Sequence, residues 1–196
     1  RKFEQRSLSA VTWCLAARAQ GFPLTRHTVF FSSDYAAEFQ QILRDRNLPS
    51  GPTVYVCAQD RADDDTAPAG HERLLVLANA PATGDAPGFG ERELNRLEEA
   101  SFDLLARCGL QLERSPQATV RTTPVEFEAL FPGSGGGLYG NASHGWRSSF
   151  NRPASRSRVP GLYLCGGGVH PGAGVPMVAL SGRLAAEAVV EDLRGK

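Results

Sequence analysis

The sequence lacks any long hydrophobic run: its apolar stretches are all shorter than ten residues, against the roughly twenty that a membrane-spanning helix needs. It also lacks net charge, with 21 basic residues against 21 acidic ones. That argues against a nucleic-acid partner, whose affinity rests on neutralising phosphates. Cysteine is scarce, four in 196 residues, and scattered as Cys14, Cys57, Cys108 and Cys165. No C-x-x-C occurs and no cysteine has histidine at ligand spacing, so zinc and redox-pair sites are excluded and no metal is expected. The apolar neighbours of these cysteines predict buried free thiols of a reducing compartment. No secretory signal is read at the start. A start at Arg1-Lys2-Phe3, with Met177 the only methionine, reads as a piece of a longer protein. The length allows one domain or two small ones sharing a core, without a disulfide or metal staple.

A second absence is local. From Ala129 to Ala186 there is no Asp or Glu, while Arg147, Arg152, Arg156, Arg158 and Arg183 give the window a formal charge of +5. The same region is rich in glycine: thirteen of the 21 glycines fall between Gly133 and Gly182. Cationic side chains and exposed backbone amides suit a bound anion such as phosphate. An arginine-bearing outer face with counter-ions in solution explains the charge equally well.

What is present in the front portion predicts strands at 11–16, 28–31, 53–57 and 74–79, with helices between them. Asp34 is placed to cap a helix running to about Arg46, with Tyr35, Phe39, Ile42 and Leu43 at helical spacing. Asp63-Asp64-Asp65 reads as a solvated loop tip, because adjacent carboxylates diverge. Glu91 to Cys108 predicts a long amphipathic helix burying Leu94, Leu97, Phe102 and Leu105 and stopped by Gly109. Thr123-Pro124-Val125-Glu126 carries a capping box for a short helix to about Phe131.

Three glycine-rich or arginine-rich segments follow. Gly135 to Gly140 matches G-x-G-x-x-G literally, yet a helix and Pro132 precede it, so it fails the strand–turn–helix context of a Rossmann fingerprint. Trp146 to Pro153 interleaves arginine with aromatics but is too short, in a neutral chain, to signal nucleic acid. Leu162 to Cys165 reads as a short buried strand that leaves through Gly166, Gly167 and Gly168. It turns at Pro171 to Gly174 and enters a helix at Pro176 that runs to about Leu193. Ser181, Gly182, Ala185 and Ala186 make that helix small-sided. Strand, glycine turn and helix N-terminus suit an anionic or electron-rich group. His170 has no acid near it in sequence and reads as an orienting, hydrogen-bonded group. No G-x-S-x-G occurs, which excludes a serine hydrolase of that type.

Leu162 to Pro176 with Leu180 to Glu187, and above all His170-Pro171-Gly172-Ala173-Gly174-Val175-Pro176, resembles the C-terminal signature of the bacterial phytoene desaturase family of flavoproteins. Arg152-Pro153 and Phe131 to Ser134 match more loosely. His27 to Ser32, Pro52 to Cys57 and Ala67 to Glu72 are similar to the branch acting on hydroxylated or methoxylated carotenoids. The resemblance implies an α/β (α+β mixed) fold, the C-terminal part of an FAD-binding, Rossmann-like oxidoreductase. Residues 1–125 would belong to a mixed-sheet substrate domain and 126–196 to the FAD-binding domain. It implies FAD, with Gly166, Gly167, Gly168, His170, Pro171, Gly172, Gly174, Val175 and Pro176 on the flavin side. No catalytic side chain is assigned. Gly167 stands where many superfamily members carry an acid, which leaves backbone amides as the contacts.

The activity implied for a full-length parent is dehydrogenation of a hydroxylated or methoxylated neurosporene-like carotenoid, with quinone or oxygen as electron acceptor. The location implied is cytoplasmic with peripheral membrane contact. The rest of the cofactor site would come from a missing N-terminal region, leaving the piece alone inactive. The alternatives are another flavin oxidoreductase of the superfamily (a carotenoid isomerase or amine-oxidase-like enzyme) and a non-catalytic interaction domain.

Overall fold

A computed structural model describes residues 6–61, 66–142 and 152–195. The triplet Asp63 to Asp65 and the stretch from Trp146 to Asn151 lie outside the described residues. Two compact units are found: Leu8–Gly137, and Arg1–Ser7 with Leu138–Lys196.

The first unit is built on one long strand, β1 (Ser9–Gln20). Val11, Trp13, Leu15 and Ala17 are buried at alternate positions, while Cys14, Ala16 and Arg18 between the later ones are exposed, the period-two signature of a sheet with two unlike faces. Strands β2 (His27–Phe30), β3 (Val54–Ala58), β4 (Glu72–Ala80) and β5 (Gln111–Glu113) join it in the order β2-β3-β4-β1-β5, and β6 (Thr119–Thr122) also pairs with β1. The mixed sheet expected from sequence is antiparallel in all described pairings. Among the described residues, β3 returns to β4 without the crossover helix that a parallel neighbour requires.

Helix α2 (Glu91–Arg107) covers one face of this sheet through Leu94, Leu97 and Leu105, as its apolar spacing predicts. Its start is held by Glu93, which accepts from Gly90 N–H at 2.9 Å. Its end is a Schellman turn: Gly109 N–H bonds Ala106 O at 3.0 Å and Leu110 N–H bonds Leu105 O at 2.9 Å, with Gly109 at φ +94°. Trp13 lies at the centre of the core, edge-on to Phe102 at 5.6 Å, and donates its indole N–H to Glu98 at 2.9 Å. Burying a tryptophan without that acceptor would cost roughly 1–3 kcal/mol.

Asp34 caps α1 (Tyr35–Gln40) by accepting from Ala37 N–H at 2.9 Å, as expected. The helix then widens into a π turn over Gln41–Asp45 and stops at Arg46 in the left-handed region, φ 56°. Of the spaced apolar residues only Ile42 is fully buried; Tyr35 and Leu43 are exposed, and the most deeply buried residue of α1 is Glu38. The capping box at Thr123 opens α3 (Pro124–Leu130), with Glu126 accepting from Thr123 N–H at 2.7 Å.

Buried thiols are not found. Cys14, Cys108 and Cys165 are exposed and Cys57 is half-buried, because Cys14 falls on the outward parity of β1 and Cys108 caps α2.

The second unit contains helix α4 (Val175–Arg194) and irregular chain. The buried strand expected at Leu162 to Cys165 is absent: Tyr163 makes one isolated bridge to Arg156, and Leu162 and Cys165 are exposed. That bridge rests on two backbone bonds, Leu164 N–H to Ser155 O at 2.8 Å and Ser157 N–H to Leu162 O at 3.2 Å, too few to extend into a ladder. Nor are Gly182 and Ala186 the close-packed positions of α4. Its buried side is Ser181, Ala185 and Ala188, one turn apart along a single stripe.

Candidate functional site

The glycine turn of the second unit is shaped by conformations that side chains resist. Gly166, Gly172 and Gly174 have φ of +112°, +136° and +104°, where an L-residue is strained. Gly166 N–H donates to the buried Ser181 Oγ at 3.2 Å, which ties the turn to α4. Val169 N–H closes the turn onto Gly166 O at 3.1 Å, and His170 N–H donates to Pro153 O at 2.9 Å. The His170-Pro171 peptide is cis. Gly174 stands at the N-cap of α4, Val178 N–H donates back to it at 2.8 Å, and Pro176 occupies the first turn. Val175 beside them is 86% exposed. No described group accepts from Gly167 or Gly168 N–H. The turn therefore brings Gly166, Gly167, Gly168, His170, Pro171, Gly172, Gly174, Val175 and Pro176 into one continuous bend, with a bare backbone at its apex.

Arg152 holds the bend from the side. Its guanidinium donates to Gly167 O at 2.7 Å and Tyr139 O at 3.2 Å, and a Cβ at Gly172 would lie 3.2 Å from its Nε. Arg152, Arg156, His170, Ser155 and Leu184 are among the residues lining a cleft of about 520 Å³ beside α4. Two of the five arginines of the window are answered by acids within the unit. Arg156 pairs with Glu191 at 2.7 Å and Asp192 at 3.1 Å, and Arg183 pairs with Glu187 at 3.1 Å. Tyr163 donates its hydroxyl to Asp192 at 2.6 Å. That bond, with the neighbouring negative charge, raises the phenol above its ordinary range. The bonds to Asp192 and Glu191 raise the Arg156 guanidinium likewise, so it stays charged. The three acids, Glu187, Glu191 and Asp192, stand just past the acid-free window and offset part of the +5 counted along it.

The literal G-x-G-x-x-G of Gly135 to Gly140 is already engaged at its first two glycines. Glu128 of α3 accepts from the backbone N–H groups of Gly133, Ser134, Gly135 and Gly136 at 2.6, 3.0, 2.6 and 3.3 Å. The loop is an amide nest around its own carboxylate, not a place for a phosphate.

The Leu8–Gly137 unit presents a second surface. The sheet face away from α2 runs in two registered rows. Val29, Tyr55, Leu77 and Thr12 form one; His27, Cys57, Leu75, Cys14 and Val120 form the other. Leu75, Leu77, Tyr55 and Cys57 are half-buried, while Val29 and Val120 are 46% and 64% exposed. Tyr55 Oη lies 2.7 Å from His27 Nδ1, so its one polar atom is engaged. An apolar sheet face of this extent is unusual on a solvated surface. Sequence reasoning did not find the buried ionisable groups of this unit, Glu38 and the pair Arg61–Glu72. No local pattern marked them: the strand read at 74–79 left Glu72 in the loop before it.

Among the described residues no helix is long and apolar enough to cross a membrane, and no group of His, Cys, Asp and Glu could hold a metal ion.

Residues 24–190 match the family described as flavin containing amine oxidoreductase, which implies a flavin cofactor. The chain is 57% identical over 189 residues to a hydroxyneurosporene desaturase of Rubrivivax gelatinosus, covering 96% of this chain and 36% of that protein. It is 43% identical over 195 residues to a hydroxyneurosporene desaturase of Cereibacter sphaeroides, covering 100% of this chain and 38% of the relative. It is 32% identical over 176 residues to a 4,4'-diapolycopene oxygenase of a Methylomonas species, covering 88% and 35%. The chain thus spans a little over a third of the length of the curated relatives it matches. With the match running from the second strand of the sheet through most of α4, the chain belongs to the flavin containing amine oxidoreductase family.

Proposed function

We propose that the whole protein is an FAD-dependent carotenoid desaturase acting on a hydroxylated, neurosporene-like polyene, and that this chain supplies its flavin-side turn and part of its substrate surface. The observation that carries the reading is the glycine turn at Gly166 to Pro176, with unpartnered amides at its apex, in a chain this similar to hydroxyneurosporene desaturases.

The turn fits a flavin by its chemistry. Gly167 and Gly168 would donate N–H groups to an electron-rich edge, and Gly166, Gly172 and Gly174 keep side chains out of the way. Pro171, Val175 and Pro176 would offer apolar contact, and His170 would orient the bend through its backbone bond. Bound flavin supplies a two-electron acceptor, so that a saturated CH₂–CH₂ pair loses two hydrogens and gains a double bond. Quinone or oxygen would then take the electrons. The apolar sheet face would line the polyene channel: Leu75, Leu77, Val29 and Val120 exclude water and hold the chain without charged groups. Residues 1–125 are accordingly assigned to the substrate domain and 126–196 to the cofactor domain. The part of the whole protein outside this chain would bind the rest of FAD, so this chain alone is expected to retain FAD weakly and to turn nothing over. Delivery of so apolar a substrate would proceed from a cytoplasmic membrane surface, for which exposed Phe31 and Tyr35 are suited.

The test uses the purified whole protein with added FAD and a hydroxylated carotene in vesicles. Flavin absorbance bound to the protein and a red-shifted polyene product are expected, because only desaturation lengthens the chromophore. Absence of bound flavin overturns the assignment. An oxygenated product of unchanged conjugation favours the oxygenase reading that similarity to 4,4'-diapolycopene oxygenase supports.

A further inference from the structure

We propose that Asn79, held in place by the buried carboxylate of Glu38, receives the hydroxyl hydrogen of the polyene and so determines preference for hydroxylated substrates. This rests on the reading of the outer sheet face as substrate surface. Asn79 follows Leu75 and Leu77 at alternate positions of β4, so it ends the open rows on the same face. Glu38 is only 1% exposed. Its Oε2 accepts from Thr53 N–H at 3.1 Å and its Oε1 from Asn79 Nδ2 at 3.4 Å.

The carboxylate accepts, so it selects the nitrogen end of the amide and leaves Asn79 Oδ1 turned away. No described group donates to that oxygen, and Asn79 is only half-buried. An oriented acceptor therefore stands where the apolar surface ends. Ile42 and Ala10, the latter opposite Asn79 in register, are buried yet lie outside the main core. The helix and its π turn thus cover this end of the face and leave the Leu75 and Leu77 rows open.

The backbone that follows Glu38 is unusual, although the π turn also buries Ile42. A π turn follows α1 directly and Arg46 closes it in the left-handed region. Such turns concentrate where a side chain has to be placed for function. The chemistry is complementary: a hydroxyl drawn into an apolar channel loses its water and needs an acceptor. A substrate lacking the hydroxyl leaves the amide oxygen desolvated and unpaired.

The test compares kcat/KM of the whole flavin-loaded protein for a hydroxylated acyclic carotene and its deoxy counterpart in the same vesicles. Wild type should prefer the hydroxylated substrate, and Asn79→Leu should lower that preference about tenfold. Because the readout is a ratio within one variant, loss of folded protein cancels. Asn79→Ala carries the comparison if the leucine variant does not fold. An equal fall for both substrates, or a wild type without preference, overturns the proposal while the desaturase reading stands. A wild type converting neither polyene overturns the desaturase reading and this proposal with it.

Discussion

Glu72 grips Arg61 through two bonds, Nε to Oε2 at 3.0 Å and Nη2 to Oε1 at 2.8 Å, with both side chains almost wholly buried. The third guanidinium nitrogen donates to Leu24 O at 2.6 Å. One arginine thus joins the segment before β2, the turn after β3 and the head of β4.

Glu72→Ala should lower unfolding stability of the whole protein by about 3–5 kcal/mol, because it strands a buried guanidinium. Equilibrium urea denaturation measures this. A loss within about 0.5 kcal/mol, the range of ordinary surface substitutions, would mean that water reaches Arg61.

Backbone N–H bonds, Gly133 first and then Gly135, Gly136 and Ser134, hold the Glu128 carboxyl below its ordinary value. A lowered folded value means that its contribution is complete above the unfolded value, near 4.5, and is lost as pH falls through the folded one. Hydrogen exchange of residues 131–137 should accelerate in Glu128→Gln at neutral pH, with α2 unaffected. Unchanged protection would contradict the amide nest.

Gly166→Ala should destabilise by about 1–2 kcal/mol, since φ of +112° excludes a side chain. It should also lower the flavin absorbance per protein. Gly167→Ala should fold normally, because its Cβ would meet Ala173 and Val178 at ordinary contact, 3.6 and 3.7 Å. Flavin content equal to wild type in folded Gly166→Ala would remove the turn from the cofactor site.

The hydrogen bond to Asp192 and its charge hold the Tyr163 phenol above its usual range, so phenolate should form later than in an ordinary tyrosine. Tyrosine-labelled NMR titration of wild type and Asp192→Asn checks this. The variant should titrate earlier, and coincident curves would contradict the bond.

Features that depend on neighbours in sequence were legible without the fold. The apolar stripe of α2, its stop at Gly109, the caps at Asp34 and Thr123, and the bend from Gly166 to Pro176 are all written locally. Local chemistry sets a helix end or a glycine's conformation, so a short window carries the information.

What the sequence by itself determined is therefore the kinds of element, the glycine turn and the family resemblance. Tertiary structure alone decided that Leu162 to Cys165 is not a strand, that Cys14 faces outward, that Glu128 fills the G-x-G-x-x-G loop, and that Glu38 and Arg61–Glu72 are buried. These depend on partners supplied by distant segments. A strand needs another strand's backbone, and a buried charge needs a counter-charge or hydrogen-bond partner. Asn79 meets Glu38 across 41 residues, a distance over which no local pattern in the chain carries the pairing.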